Sequence, residues 1–197
     1  AMVLGYAAFS AVYLGTGRLH LVPPTLLAPG PIDAAVPFVE WTVWIYLTQF
    51  LLLPTAIVAA RDDTDRSYAL YAMLVATVLA AAIFLAWPTE ITRETPGHEG
   101  LTGLAWGLLH GVDTPANCFP SLHIALAVIA GRALWRRGWV VPALVWPVLI
   151  ALSTLTTKQH VAWDIAGGLA LAVLAVRLTP RILRLERTQL AHDSAGA

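Results

Sequence analysis

Six long apolar blocks, parted by short stretches bearing charge, proline or tryptophan, set the limits on what this chain can fold into. They cover roughly residues 2–17, 35–60, 67–88, 119–136, 138–156 and 160–179. A helix needs about 20 mostly apolar residues to cross the bilayer hydrocarbon, where no water satisfies an unpaired backbone. Only 12% of the 197 residues are charged and 58% are hydrophobic, against about 25% charged in a soluble domain. The blocks predict an all-α integral-membrane protein, a six-transmembrane-helix bundle forming one domain over 1–197. The first block is short and contains Gly15 and Gly17. The second is long, carries Glu40, Trp41 and Trp44 near its start, and holds Pro54, which is expected to kink it. The polar tail after Arg187 is expected to fray.

Charge then orients the bundle. Arg61, Arg66, Arg132, Arg136, Arg137, Arg177, Arg181, Arg184 and Arg187 fall on one side, and only Arg18, Arg93 and Lys158 on the other. The positive-inside rule puts both termini in the cytoplasm of a multi-pass cell-membrane protein. The loop before the fourth helix, the loop between the fifth and sixth, and Arg93 all reach the extracytoplasmic face. A net charge of zero leaves no footprint for nucleic acid. The single cysteine, Cys118, excludes an internal disulfide and a thiolate metal cluster.

Two segments on that outer face carry chemistry: Cys118-Phe119-Pro120-Ser121-Leu122-His123, and the run from Ser153 to Asp164. Pro120 is expected in the first turn of its helix, where a missing N–H is harmless. The free N–H groups of that turn, with Ser121, can cradle an anion. Asp164 follows His160 by four residues, on the same helical face. A carboxylate there can hold an imidazole in one tautomer and stabilise its cation. An imidazole so held can attack phosphorus, and a second one, His123, can protonate the leaving oxygen. Arg93 and Lys158 are the candidate cations for a phosphate.

Together these residues resemble the motifs of the type 2 phosphatidic-acid phosphatase (PAP2) superfamily. Pro120-Ser121-Leu122-His123 is similar to its Pro-Ser-Gly-His motif, and Ser153, His160 and Asp164 fall in the register of its Ser-Arg…His…Asp motif. The leucine and the Lys158-Gln159-His160 run look like the branch that includes inositol-phosphorylceramide synthases and bacterial relatives. The likeness covers about 67–179. It implies a bundle of PAP2 type, a lipid phosphate or phospholipid substrate, and neither cofactor nor metal. It further implies His160 as a phosphohistidine nucleophile, Asp164 as the acid that orients it, His123 as general acid and later base, and Ser121 as a phosphate ligand. The chain departs from the pattern in places. Thr154 stands where the third motif has arginine. If Arg93 is the arginine of the first motif, Ala86 occupies its lysine position and Glu94 its proline position. Lys158 is the expected substitute for one missing cation.

Plainer readings attach to the same residues. Ser121 is also a helix cap, Lys158 a snorkelling lysine at a helix end, and Arg93 a loop charge. Asp113 and Asn117 suit a turn, and Cys118, with no base beside it, suits a packed site. Two other classes draw on the same side chains. One is a metal-dependent membrane hydrolase ligated by His123, His160 and Asp164. The other is a transporter passing ions through them, against which the ionisable groups gather at one face with no inverted repeat. A phosphotransferase serving an alcohol acceptor shares the phosphohistidine route with a phosphatase. The stretch 89–117 is longer than a usual connection and is expected to be a loop covering the site.

Overall fold

The computed structural model describes residues 15–16, 22–94, 97, 99–113 and 115–195, without the side chains of residues 112 and 185–195. From residue 22 onward the elements are β1 (Thr25–Leu26), α1 (Pro31–Ala35), a 3-10 turn (Glu40–Thr42), α2 (Val43–Leu47), α3 (Gln49–Val58), α4 (Asp63–Ala86), β2 (Thr89–Glu90), α5 (Gly100–Val112), α6 (Leu122–Arg137), α7 (Val140–Thr156) and α8 (Ala162–Ala195). Glu40–Val58, Asp63–Ala86 and Ala162–Arg184 are each long and apolar enough to cross a membrane. Helix α7 is apolar but has 17 residues, and α6 has 16. Three full-length spans therefore stand where the sequence predicts five within the described region. The sixth, 2–17, lies outside the described residues apart from 15–16.

Several boundaries differ for local reasons. The second block does not start at 35: α1 is a separate turn, and the spanning segment begins at Glu40. Its irregularity falls at Thr48, between α2 and α3, and helix α3 runs through Pro54. Helix α4 starts four residues early because Asp62 caps it, accepting from Asp65 N at 2.8 Å. Helix α8 continues through Pro180 to Ala195, where a frayed tail was expected. The stretch 89–117 is not a plain loop, since the 13-residue helix α5 lies within it.

Packing follows the logic of a chain solvated by lipid. On α4, Ala69, Ala72, Ala76, Ala80 and Phe84 recur at helical spacing and are buried, while Leu70, Leu74 and Val78 face out. Small residues inside let helix backbones approach closely, and large apolar ones outside suit hydrocarbon. Helix α6 is the hub, packed against α3, α4, α7 and α8, and ten of its residues are buried. Gly131 makes the α6–α7 contact possible, because a Cβ there would stand 2.6 Å from Ala143 O.

The alternation of α3, α4, α6, α7 and α8 sorts the polar residues to two ends. One end holds Arg61, Asp62, Asp65 and Arg136, with Arg136 Nε 3.3 Å from Asp65 Oδ1. The other holds the parallel β1–β2 pair and both histidine-bearing segments.

Candidate active site

The start of α6 and the start of α8 are fastened together by backbone. Ser121 N donates to Asp164 O at 3.0 Å. Two glycines allow this approach: a Cβ on Gly168 would meet Ser121 O at 2.5 Å and Ile124 Cβ at 2.9 Å, and one on Gly167 would meet the Phe119 ring at 2.5 Å. The segment before α6 is held to β2, with Phe119 N donating to Thr89 Oγ1 at 2.8 Å. Pro120 follows a cis peptide bond and precedes the cap, so it is not in the first helical turn as expected. Ser121 itself is the cap: its Oγ accepts from Ile124 N at 3.4 Å, and the residue is fully buried.

This junction brings His123, His160 and Asp164 together. Asp164 Oδ2 lies 3.1 Å from His160 Nδ1 and also accepts from Val161 N at 3.1 Å. A carboxylate only accepts, so His160 Nδ1 carries the hydrogen and donates it to Asp164 Oδ2, which places the ring's lone pair on Nε2. His160 Nε2 points at His123 Nδ1, 3.5 Å away, with the ring planes 59° apart. Asp164 has no exposed surface, and His160 is 5% exposed.

Behind His123 runs a second series of contacts. His123 Nε2 is 2.9 Å from Tyr46 Oη, which donates to Asp113 Oδ2 at 3.1 Å. Arg93 donates through Nη2 to the same carboxylate oxygen at 3.0 Å and through Nη1 to Asp113 O at 2.9 Å. Gln49 Nε2 holds the His123 carbonyl at 3.0 Å. Arg93 thus reaches the site through Asp113. Nothing local in the sequence distinguishes Tyr46 and Gln49 within an apolar, interface-like run.

Lys158 is placed differently. It has φ 54°, and its Nζ donates to the carbonyls of Asp33 and Val36 in and just after α1. Asp33 answers by accepting from Ala162 N at 2.8 Å and from Gly30 N at 2.8 Å, so α1 supplies the cap of α8. Ser153 and Thr154 are buried, and their hydroxyls return to Ile150 O and Ala151 O of their own helix. Burial, then the nearby Asp164 carboxylate, push the Cys118 thiol well above its ordinary range.

The three residues weighed as metal ligands do not share a centre. Asp164 and His123 sit on opposite nitrogens of the His160 ring. Among the described residues no group of three His, Cys, Asp or Glu side chains is arranged to hold a metal ion.

No curated protein and no solved structure matches the chain. A family model described as the PAP2 superfamily does, over residues 17–178. That span takes in both motif segments and all three residues of the His160 cluster, and it covers most of the molecule: the chain belongs to the PAP2 superfamily, whose members are in general phosphatases and phosphotransferases.

Proposed function

We propose that this protein is an integral-membrane lipid phosphatase or phosphotransferase working through a phosphohistidine at His160, with its site at the extracytoplasmic surface. The observation that carries the reading is the paired engagement of one ring: Asp164 on Nδ1, and Nε2 aimed at His123. In the first step the His160 Nε2 lone pair attacks phosphorus and the ester P–O bond breaks. His123 gives its proton from Nδ1 to the departing oxygen. In the second step His123 takes a proton from water, or from an alcohol, as that oxygen attacks. The N–P bond then breaks and His160 is restored.

The Ser121 hydroxyl, whose Oγ accepts from Ile124 N, keeps its own hydrogen to donate to a phosphoryl oxygen. Lys158 serves as a positioning residue, tying α1 to the turn before His160. Arg93 acts on the site through Asp113. Helices α6 and α7 complete the set of spans. Val141, Leu144, Val145, Val148 and Leu152 make α7 apolar on its outer side, as lipid contact requires. The basic end carrying Arg61, Arg66 and Arg136 is cytoplasmic.

The test is phosphate release by detergent-purified protein from a panel of lipid phosphates, with excess chelator, beside His160→Ala. Release that survives chelation and disappears in the variant is expected. Release unchanged in His160→Ala would overturn the phosphohistidine route, and loss on chelation would bring the metal reading forward. A protein that releases nothing but moves phosphate from a lipid donor to an alcohol would be the transferase.

A further inference from the structure

Resting on that reading, we infer that Tyr46 and Asp113 form a second supporting dyad, a phenol relay that holds His123 in its working tautomer. The assignment follows from proton inventory. An ionised Asp113 only accepts, so the Tyr46 hydroxyl proton lies toward Asp113 Oδ2 at 3.1 Å. The Tyr46 oxygen therefore accepts at 2.9 Å from His123 Nε2, which carries the hydrogen. This leaves Nδ1, the nitrogen facing His160 Nε2, as the one that takes up and gives back a proton. Tyr46 is 1% exposed and Asp113 5% exposed, so water does not compete easily for these bonds. His160 is held directly by a carboxylate, whereas His123 is held by a carboxylate acting through one hydroxyl.

The asymmetry suits the two roles. His160 must keep a free lone pair on Nε2. His123 must alternate between neutral and cationic forms, and a neutral hydroxyl between ring and carboxylate lets it do so without a full ion pair to break. The charged and titratable groups facing His123 are His160 from the α8 side, Tyr46 from α2, and Asp113 with Arg93 from the segments flanking α5. Burial and the Arg93 charge disfavour the imidazolium, and the Asp113 carboxylate favours it. Tyr46→Phe removes an acceptor for the ring N–H. Asp113→Asn removes the negative charge and leaves Arg93 without its carboxylate. Both changes work against the imidazolium, so the alkaline limb of the rate profile, where His123 loses its proton, moves to lower pH.

The experiment has an arm independent of turnover. Ring nitrogens of the histidines are labelled with nitrogen-15 in detergent-solubilised protein, and the His123 signals are assigned by their loss in His123→Gln. In the wild type the neutral ring is expected with its hydrogen on Nε2. In Tyr46→Phe that preference weakens and the ring becomes neutral at lower pH. The kinetic arm compares alkyl and activated aryl phosphates. Tyr46→Phe should lose about tenfold with the alkyl ester, a fraction of the 10²–10⁴ supplied by general acid catalysis, and little with the aryl ester. A His123 spectrum unchanged in Tyr46→Phe, or equal losses on both esters, overturns the relay. A wild-type protein that shows the expected tautomer yet transfers no phosphoryl group leaves the relay standing and sinks the functional reading instead.

Discussion

Gly168→Ala tests whether the backbone junction between α6 and α8 sets the catalytic geometry. The added Cβ would lie 2.5 Å from Ser121 O and 2.9 Å from Ile124 Cβ, whereas ordinary contact begins at 3.4 Å. The first obstacle is backbone, and the second is the stiff branch point of an isoleucine, so neither yields by rotating away. Helix α8 must retreat from α6 by roughly 1 Å, and the Ser121 N to Asp164 O bond lengthens with it. The two rings, with His160 Nε2 and His123 Nδ1 now 3.5 Å apart, are carried out of register with it. A displacement of that size costs about 100-fold in rate, and overpacking costs about 1–3 kcal/mol of stability. The assay pairs initial rates of phosphate release from a lipid phosphate with thermal unfolding in the same detergent. Gly167→Ala meets only the edge of the Phe119 ring, which can tilt, so its loss should stay under about tenfold. Gly107→Ala meets nothing within 4 Å and should leave kcat alone, while gaining up to about 1 kcal/mol in helix propensity. A folded Gly168→Ala protein with kcat within twofold of wild type would refute the claim that this close approach fixes the site.

The remaining expectations concern the supports of His160. Asp164→Asn should lower kcat by about 10⁴, as loss of the tautomer-holding carboxylate does in a triad. Lipid binding should be nearly unchanged, and a loss under tenfold would show that Asp164 does not orient the ring. Lys158→Met should lower the unfolding midpoint, because it removes the donor to two carbonyls, at about 1–3 kcal/mol. KM should barely move, and a large rise in KM with unchanged stability would return Lys158 to phosphate binding. Asp33→Ala deletes the acceptor for Ala162 N and should cost about 0.5–2 kcal/mol, as cap removal does. Limited proteolysis should then cut near the start of α8, and an unchanged pattern would count against α1 as its cap.

Much of this arrangement is local in sequence, and those parts were legible. Apolar block length gave the full-length spans at Glu40–Val58, Asp63–Ala86 and Ala162–Arg184 to within a few residues. The His160–Asp164 contact spans four residues, as read, but His160 stands just before α8, which begins at Ala162, and not on its face as expected. Helix α5 was missed because Gly100, Gly103, Gly107 and Gly111 depress helix propensity along its length. It forms because Trp106 and Leu109 pack against Val43 and Tyr46, a contact no single window reveals.

The supports of the site are non-local, and that explains the rest. Tyr46 lies 77 residues from His123, and Asp33 lies 129 from Ala162. Neither has a neighbour in the chain that betrays its partner. Each also has a sufficient ordinary explanation, an interfacial tyrosine and a turn aspartate. Gly168 reads as a small residue in an apolar helix until Ser121 O is seen against it. The reacting groups come as two compact motifs, whereas the residues that aim them are spread across α1, α2, α5 and α8. The chemistry can therefore be recognised from a short stretch of sequence, but its positioning depends on the whole bundle. Substitutions outside both motifs, such as Gly168→Ala, should for that reason move activity in ways the motifs alone would never suggest.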